Sequence, residues 1–212
     1  MSLKSPVKAL NPDFSLEDEL GVPVCGIDEV GRGPLAGPVV AACVFIPPKV
    51  RDLEWIAHIR DSKKLSEKKL EMLFGAITAH CVYGIAEITP NEIDRINILQ
   101  ASLRAMERAY QACGKFDHAL VDGNKLPKLP CPASAIIKGD GKSKSIAAAS
   151  IIAKVTRDRI MRKLAEEFPH YGWESNVGYP SKAHRDAILI HGITPHHRRS
   201  FAPVKKFLEK RD

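Results

Sequence analysis

Residues 26–33 read Gly-Ile-Asp-Glu-Val-Gly-Arg-Gly, and they carry the densest chemistry in the chain. Two adjacent carboxylates, Asp28 and Glu29, close an apolar run of Val22, Val24 and Ile27, and a Gly31-Arg32-Gly33 turn follows at once. Like charges about 4 Å apart repel by roughly 4 kcal/mol at an effective dielectric near 20. A buried strand gains no stability from that repulsion, so a cation must offset it, and a divalent metal is the simplest. Beside the acids, Gly31 and Gly33 expose backbone N–H groups, and Arg32 adds a planar fork suited to phosphate. An acid pair for metal next to a turn for phosphate is the outline of a nuclease site.

Two more acids fit the same outline. Asp122 ends the run His-Ala-Leu-Val-Asp, and Asp140 follows Ser-Ala-Ile-Ile-Lys-Gly. Strands of one sheet that end on one edge would bring Asp28, Glu29, Asp122 and Asp140 together. Four carboxylates suit hard divalent cations such as Mg²⁺ or Mn²⁺. Two such ions about 3.5–4 Å apart activate an attacking water and stabilise the leaving oxygen of a phosphodiester. Taken singly, Asp122 and Asp140 read better as turn formers than as ligands; together with Asp28 and Glu29 they favour a site.

Other residues carry weaker signals. Gly31, Gly33 and Gly37 miss the dinucleotide-binding fingerprint by one residue, and Pro34 and Pro38 obstruct an immediate helix. Ser62, Lys63 and Lys64 could line a phosphate path, or begin a solvated helix. Lys142, Lys144 and Ser145 fall at a helix N-terminus, where amides and dipole favour phosphate. Tyr179, in Gly-Tyr-Pro, is a ring on a stiff turn, suited to stacking on a sugar or base or to a structural role. His196-His197-Arg198-Arg199 reads as a solvated basic edge without a catalytic histidine.

The elements that must position these groups follow from periodicity. Residues 1–20 show little pattern and read as a loose arm before a single domain over 21–212. Segments 22–30 and 38–46 predict an antiparallel strand pair, 81–88 a third strand, and 118–122 and 134–138 two more. Helices are expected over 66–79, with Ser66 as N-cap, over 97–113 and over 144–167. The last has small apolar residues around its whole circumference, which implies burial against the sheet. From about residue 180 a helical C-terminal extension is expected, with helices near 181–191 and from 203. A hairpin followed by β–α alternation points to an α/β fold with a central mixed sheet flanked by helices.

Composition sets bounds on partners. Of 212 residues, 32 are Lys or Arg and 25 Asp or Glu, a net charge of +7 that suits a polyanion such as nucleic acid. The five cysteines form no Cys-x-x-Cys pair, which argues against a zinc ribbon, and three lie in apolar runs as reduced core residues. No leader-like start and no apolar stretch of about 18 residues occurs, so no membrane partner is expected and a cytoplasmic monomer is.

The chain resembles bacterial type 2 ribonuclease H, ribonuclease HII, over about residues 22–208. The matching pieces are Gly-Ile-Asp-Glu-Val-Gly-Arg-Gly-Pro-Leu-Ala-Gly-Pro, Asp-Ser-Lys-Lys-Leu-Ser, Val-Asp-Gly-Asn, Lys-Gly-Asp, Ser-Ile-Ala-Ala-Ala-Ser-Ile-Ile-Ala-Lys-Val-Thr-Arg-Asp, Gly-Tyr-Pro and His-His-Arg-Arg-Ser-Phe-x-Pro-Val-Lys. The resemblance implies an RNase H-like fold and a catalytic set of Asp28, Glu29, Asp122 and Asp140 with Mg²⁺ or Mn²⁺. It implies hydrolysis 5′ to a ribonucleotide, in RNA–DNA hybrids and at single ribonucleotides in duplex DNA, leaving 3′-hydroxyl and 5′-phosphate ends. It assigns the ribonucleotide's 2′-hydroxyl to Gly31, Arg32 and Gly33, and the RNA-to-DNA junction to stacking on Tyr179. That agrees with the residues, since the 2′-hydroxyl is what separates RNA from DNA. Two departures stand out: Val177 occupies a place where many members carry a basic residue, and residues 1–20 lie outside the pattern. A DNA nuclease on the same fold and a non-catalytic hybrid-binding module are the rival readings.

Overall fold

The computed structural model describes residues 11–210. Helix α1 (Ser15–Leu20) leads into strand β1 (Val24–Val30), then β2 (Val39–Phe45), helix α2 (Glu67–His80), β3 (Val82–Ile88), α3 (Pro90–Ile96) and α4 (Ile98–Cys113). Strands β4 (His118–Asp122) and β5 (Ala133–Ile136) follow, then α5 (Lys144–Glu167), α6 (Trp173–Asn176), α7 (Lys182–His191) and α8 (Ala202–Leu208). The sheet runs β3-β2-β1-β4-β5. Its first three strands are antiparallel and its last three parallel, the expected mixed sheet.

Strand β2 is apolar throughout and is covered on both sides, which is why it lacks polar alternation. Val40, Ala42 and Val44 pack with Leu73 and Ile77 of α2 and Ile151 and Ile152 of α5. Cys43, Ala41 and Val39 face the other way, against Ala101, Ala105 and Ala109 of α4. Helix α5 presses so closely on β1 that a Cβ at Gly26 would lie 2.6 Å from the Ser145 carbonyl oxygen. Small residues in the first half of α5 make this approach possible, and they set the helix behind Asp28. The C-terminal helices pack on the far end of α5, where Trp173, Ile188 and Val204 meet Met161, Leu35 and Ala36. All five cysteines are free thiols, with Cys25, Cys43 and Cys113 buried. Among the described residues, no helix is long and apolar enough to cross a membrane.

The loose arm expected over 1–20 is corrected from residue 11 onward; residues 1–10 lie outside the described residues. Helix α1 docks through Glu17, which is 2% exposed. Its Oε1 accepts from the Ser143 hydroxyl at 2.7 Å and from the Ser145 N–H at 2.9 Å, capping α5 from 126 residues away. This carboxylate also sits at the positive end of the α5 dipole. Glu17→Ala is therefore expected to cost about 1.5–3 kcal/mol, the worth of a charge-assisted buried contact. A thermal melt should show a drop of about 3–10 °C for a chain of this size, and an unchanged melt would refute the capping role.

Helix α3 was not expected, although the signal was present. The Thr89 hydroxyl accepts the Glu92 N–H at 3.3 Å, with Pro90 in the first turn. Asn97, at φ +65°, separates α3 from α4 and accepts the Leu99 and Gln100 N–H groups. Strand β5 stops at Ile136, short of the expected 138, because Lys138 turns the chain at φ +56°.

Candidate active site

The sheet register gathers the acids at one end. Ile27 pairs with Val121 in the parallel β1–β4 ladder, so the next residues, Asp28 and Asp122, lie level on neighbouring strands. Asp122 in turn pairs with Ile136 of β5, and the chain leaving β5 carries Asp140 on a single 3₁₀ turn, Gly139–Gly141. The Gly139 N–H donates to Asp122 Oδ1 at 2.6 Å, fixing the turn to the strand end. Asp28 is 6% exposed. Its Oδ1 accepts the Glu29 N–H at 2.7 Å, and Ser150 of α5 lies close enough to favour its charged form.

Burial pushes the Asp28 carboxyl well above its usual range, and the charges of Glu29 and Asp122 push it further. Burial likewise raises Glu29 to about 7, against the partly offsetting Arg32 guanidinium. Asp122 is raised by burial too, with Asp140 adding to it and the Gly139 N–H opposing. Arg32 reaches Glu29 at 3.4 Å, and Lys63 reaches Asp140 at 3.5 Å. Lys63 is held up in pKa although burial opposes its charge, because Asp140, Asp61 and Asp28 outweigh that cost. The acids are thus a negative cluster only partly compensated by cations at its rim.

Among the described residues, no three acidic, histidine or cysteine side chains form a ready-made metal cage. The donor set is nonetheless all oxygen, which fits hard divalent ions that keep waters and share substrate phosphates with one or two carboxylates. A recess of about 50 Å³ beside the acids is lined by Glu29, Arg32, Ser102, Met106, Asp122 and Asn124. Ser102 is buried there with no hydrogen-bond partner for its hydroxyl, and its place on the apolar face of α4 hid it in the sequence.

Next to the acids, the loop from Gly31 to Pro38 is held by two buried arginines. Arg198 donates to the carbonyls of Gly31 (2.6 Å), Arg32 (3.1 Å) and Gly37 (2.8 Å). Arg157 donates to those of Pro38 (2.9 Å), Ala36 (3.1 Å) and Val177 (2.9 Å). Tyr179 completes this wall: the residue is 45% exposed, and a Cβ at Gly33 would lie 3.3 Å from its ring.

The chain matches the family model described as Ribonuclease HII over residues 25–204. It belongs to the ribonuclease HII family. Ribonuclease HII of Paramagnetospirillum magneticum is 54% identical over 198 residues, covering 93% of this chain and 98% of that one. The crystal structure of ribonuclease H2 from Pyrococcus horikoshii is similar at a TM-score of 0.71 and 30% identity, covering 88% of this chain and 97% of that one. A structure of Bst-RNase HIII in complex with Mn²⁺ shares the fold at a TM-score of 0.70 and 18% identity, covering 89% and 70%. The expected RNase H-like fold is thereby shown. As a member of the ribonuclease HII family the chain is an endoribonuclease, a hydrolase that acts on nucleic acid.

Within this ribonuclease HII fold, several expected substrate contacts are placed differently. Ser62 points inward: it is 3% exposed, with its hydroxyl 2.8 Å from that of Ser150. The two hydroxyls share one hydrogen bond, and Ser150 in turn partly offsets the raised pKa of Asp28. Ser145 is buried as well, its N–H already taken by Glu17, so the α5 N-terminus is closed to phosphate. Lys144 turns in to the Ile56 and Ile59 carbonyls, at 2.8 and 2.9 Å. Lys63, Lys64 and Lys142 remain exposed.

The run 196–199 is not a solvated edge. His197 and Arg198 are 1% and 0% exposed. The Thr194 N–H donates to His197 Nδ1 at 2.9 Å, so His197 carries its proton on Nε2 and passes it toward His184 Nε2 at 3.1 Å. His184 therefore keeps its own proton on Nδ1, donated to the Tyr179 carbonyl at 2.9 Å. Burial holds both imidazoles below their usual range, His197 down to about 3 with His184 as a further cause. The unfolded histidines take up protons near pH 6.5, so this stabilisation is complete above that value and declines as pH falls toward 3. Glu29 acts in the opposite sense between 4.5 and about 7, so a difference is the clean readout. Relative to the native protein, the stability of His197→Gln should rise as pH falls from about 7 to 5, by at most about 1.4 kcal/mol per pH unit, read as a melting temperature gaining about 2–4 °C per kcal/mol. A constant gap across that range would contradict the assignment.

Proposed function

We propose that the chain is a divalent-metal-dependent endonuclease that cuts the phosphodiester on the 5′ side of a ribonucleotide. Its substrates are RNA–DNA hybrids and duplex DNA with single embedded ribonucleotides, and its products carry 3′-hydroxyl and 5′-phosphate ends. Its role is the removal of ribonucleotides from DNA, and the protein acts as a monomer. The observation that carries this reading is the juxtaposition, at one end of the sheet, of four carboxylates with a loop of fixed backbone amides and an exposed tyrosine ring.

Asp28, Glu29, Asp122 and Asp140 would hold Mg²⁺ or Mn²⁺, an assignment supported by their oxygen chemistry and by the Mn²⁺ bound to the RNase HIII neighbour. Bound there, two such ions supply activation of water and charge stabilisation at the leaving oxygen. Lys63 and Arg32 compensate the acids at the rim and offer charge to the scissile strand. The N–H groups of the Gly31–Gly33 turn present donors to a 2′-hydroxyl, which DNA lacks. Tyr179, exposed beside Gly33, offers a flat face to the next sugar.

The test is cleavage, with Mg²⁺ or Mn²⁺, of a DNA duplex holding one ribonucleotide, alongside an all-DNA duplex and a continuous RNA–DNA hybrid. A single cut 5′ to the ribonucleotide with the all-DNA duplex intact is the expected result. Cutting of the continuous hybrid alone would leave the acid site in place and defeat the junction-reading role.

A further inference from the structure

Arg157 and Arg198 are 1% and 0% exposed, and neither has a carboxylate within ion-pair distance among the described residues. A guanidinium buried without an acid is expensive. Burial pulls both below their usual values, to about 10 for Arg157 and about 9 for Arg198, where repulsion from Arg157 adds to it. A fold seeking only stability would use a neutral donor or an apolar side chain here. What the two forks do instead is bind main-chain carbonyls of one segment, 31–38, and of Val177.

The direction of those carbonyls matters. Across a trans peptide the C=O and the next N–H point opposite ways. Drawing the Gly31 and Arg32 carbonyls inward to Arg198 therefore turns the N–H groups of Arg32 and Gly33 outward, away from Arg198. Arg157 adds the second tie: its Nη1 holds Val177 O at 2.9 Å, two residues before Tyr179, while its Nε and Nη2 hold Pro38 and Ala36. The Leu35 N–H also donates to Gly178 O at 2.7 Å, so turn and loop form one frame. Val177 sits at φ +43°, a costly conformation for a β-branched residue, and this tie is what holds it there.

We propose that Arg157 and Arg198 are positioning residues for ribonucleotide recognition, fixing the outward N–H groups of Arg32 and Gly33 and the Tyr179 turn in one rigid geometry. The inference deepens the functional reading above and rests on it. A lysine keeps the charge but is a point donor and cannot serve three carbonyls in a plane.

The experiment is metal-free binding by fluorescence anisotropy, with two labelled duplexes that differ only in one embedded ribonucleotide. Native protein, Arg198→Lys, Arg157→Lys and Glu17→Ala are compared; the last lowers stability through Ser143 and Ser145 of α5 and not through the loop. In each arginine variant, affinity for the ribonucleotide duplex should fall about tenfold, the scale of one charge-assisted contact, with the all-DNA affinity within about twofold. Glu17→Ala should keep the native ratio. If Arg198→Lys does not fold, Arg157→Lys decides on the same criterion. Parallel loss on both duplexes, or no change on either, overturns the positioning role. Native protein that binds the two duplexes equally overturns the functional reading itself, and this inference with it.

Discussion

Asp28→Asn is expected to abolish hydrolysis and to raise the melting temperature. The carboxylate is buried, faces the charges of Glu29 and Asp122, and is raised well above its usual range. An acid raised on folding contributes stability that is complete below its ordinary value and is lost as pH rises through the folded one. For neighbouring Glu29 that window runs from 4.5 to about 7, so at pH 7.5 without divalent ions the burial of these acids is a net cost. Asparagine keeps the oxygen that accepts the Glu29 N–H and discards the charge. Turnover should fall by about 10³-fold or more, as expected when charge stabilisation is lost at a reacting centre. The apparent melting point should rise by about 2–4 °C for each kcal/mol of relieved repulsion. Mg²⁺ should then stabilise the native protein more than the variant, because ligand binding to the folded state adds stability. Loss of melting temperature together with activity would mean that Asp28 is a structural acid.

Gly31→Ala should be the most damaging single methyl group in the loop. Gly31 sits at φ +95°, and an added Cβ would lie 2.7 Å from Arg157 Cδ and 2.8 Å from Pro38 O. Backbone strain and displacement of Arg157 act together, so a loss of about 3 kcal/mol or more is expected in chemical denaturation. KM for a ribonucleotide duplex should rise about a hundredfold, since an angstrom of misplacement costs that much. Gly33→Ala is the control: its Cβ meets only the Tyr179 ring, at 3.3 Å, at an unstrained φ. Its stability should stay within about 1 kcal/mol of native, as for an ordinary surface change. Equal destabilisation by the two substitutions would refute the role given to Arg157.

The parts of the molecule legible in the sequence are those with local pattern. Helix α5 is found over the 24 residues expected, because the small apolar residues of its first half mark a helix pressed closely against a sheet. The four acids were legible because each follows an apolar run, and a sheet edge is where such runs end. Residues whose partners lie far along the chain were not. Glu17 looked like one of several acids in an unpatterned start, since nothing nearby shows that Ser143 and Ser145 wait for it. Arg198 was read as solvated because basic runs usually are. Its burial is satisfied by carbonyls, which every residue carries and no sequence pattern marks. Ser62 and Ser145 failed for a related reason: a hydroxyl or amide in a motif does not say which side of the backbone it serves.

The docking of α1 also separates two boundaries that are easily equated. The stretch shared with the family, 25–204, begins inside β1 and stops inside α8. A fragment trimmed to that stretch would leave the first turn of α5 with an unpaired amide at Ser145 and a Ser143 hydroxyl whose proton has lost its acceptor, directly behind Gly26 and two residues from the paired acids Asp28 and Glu29. The inherited motif and the cooperative unit are different lengths of chain, and the segment with the least recognisable sequence is the latch on the strand that carries Asp28.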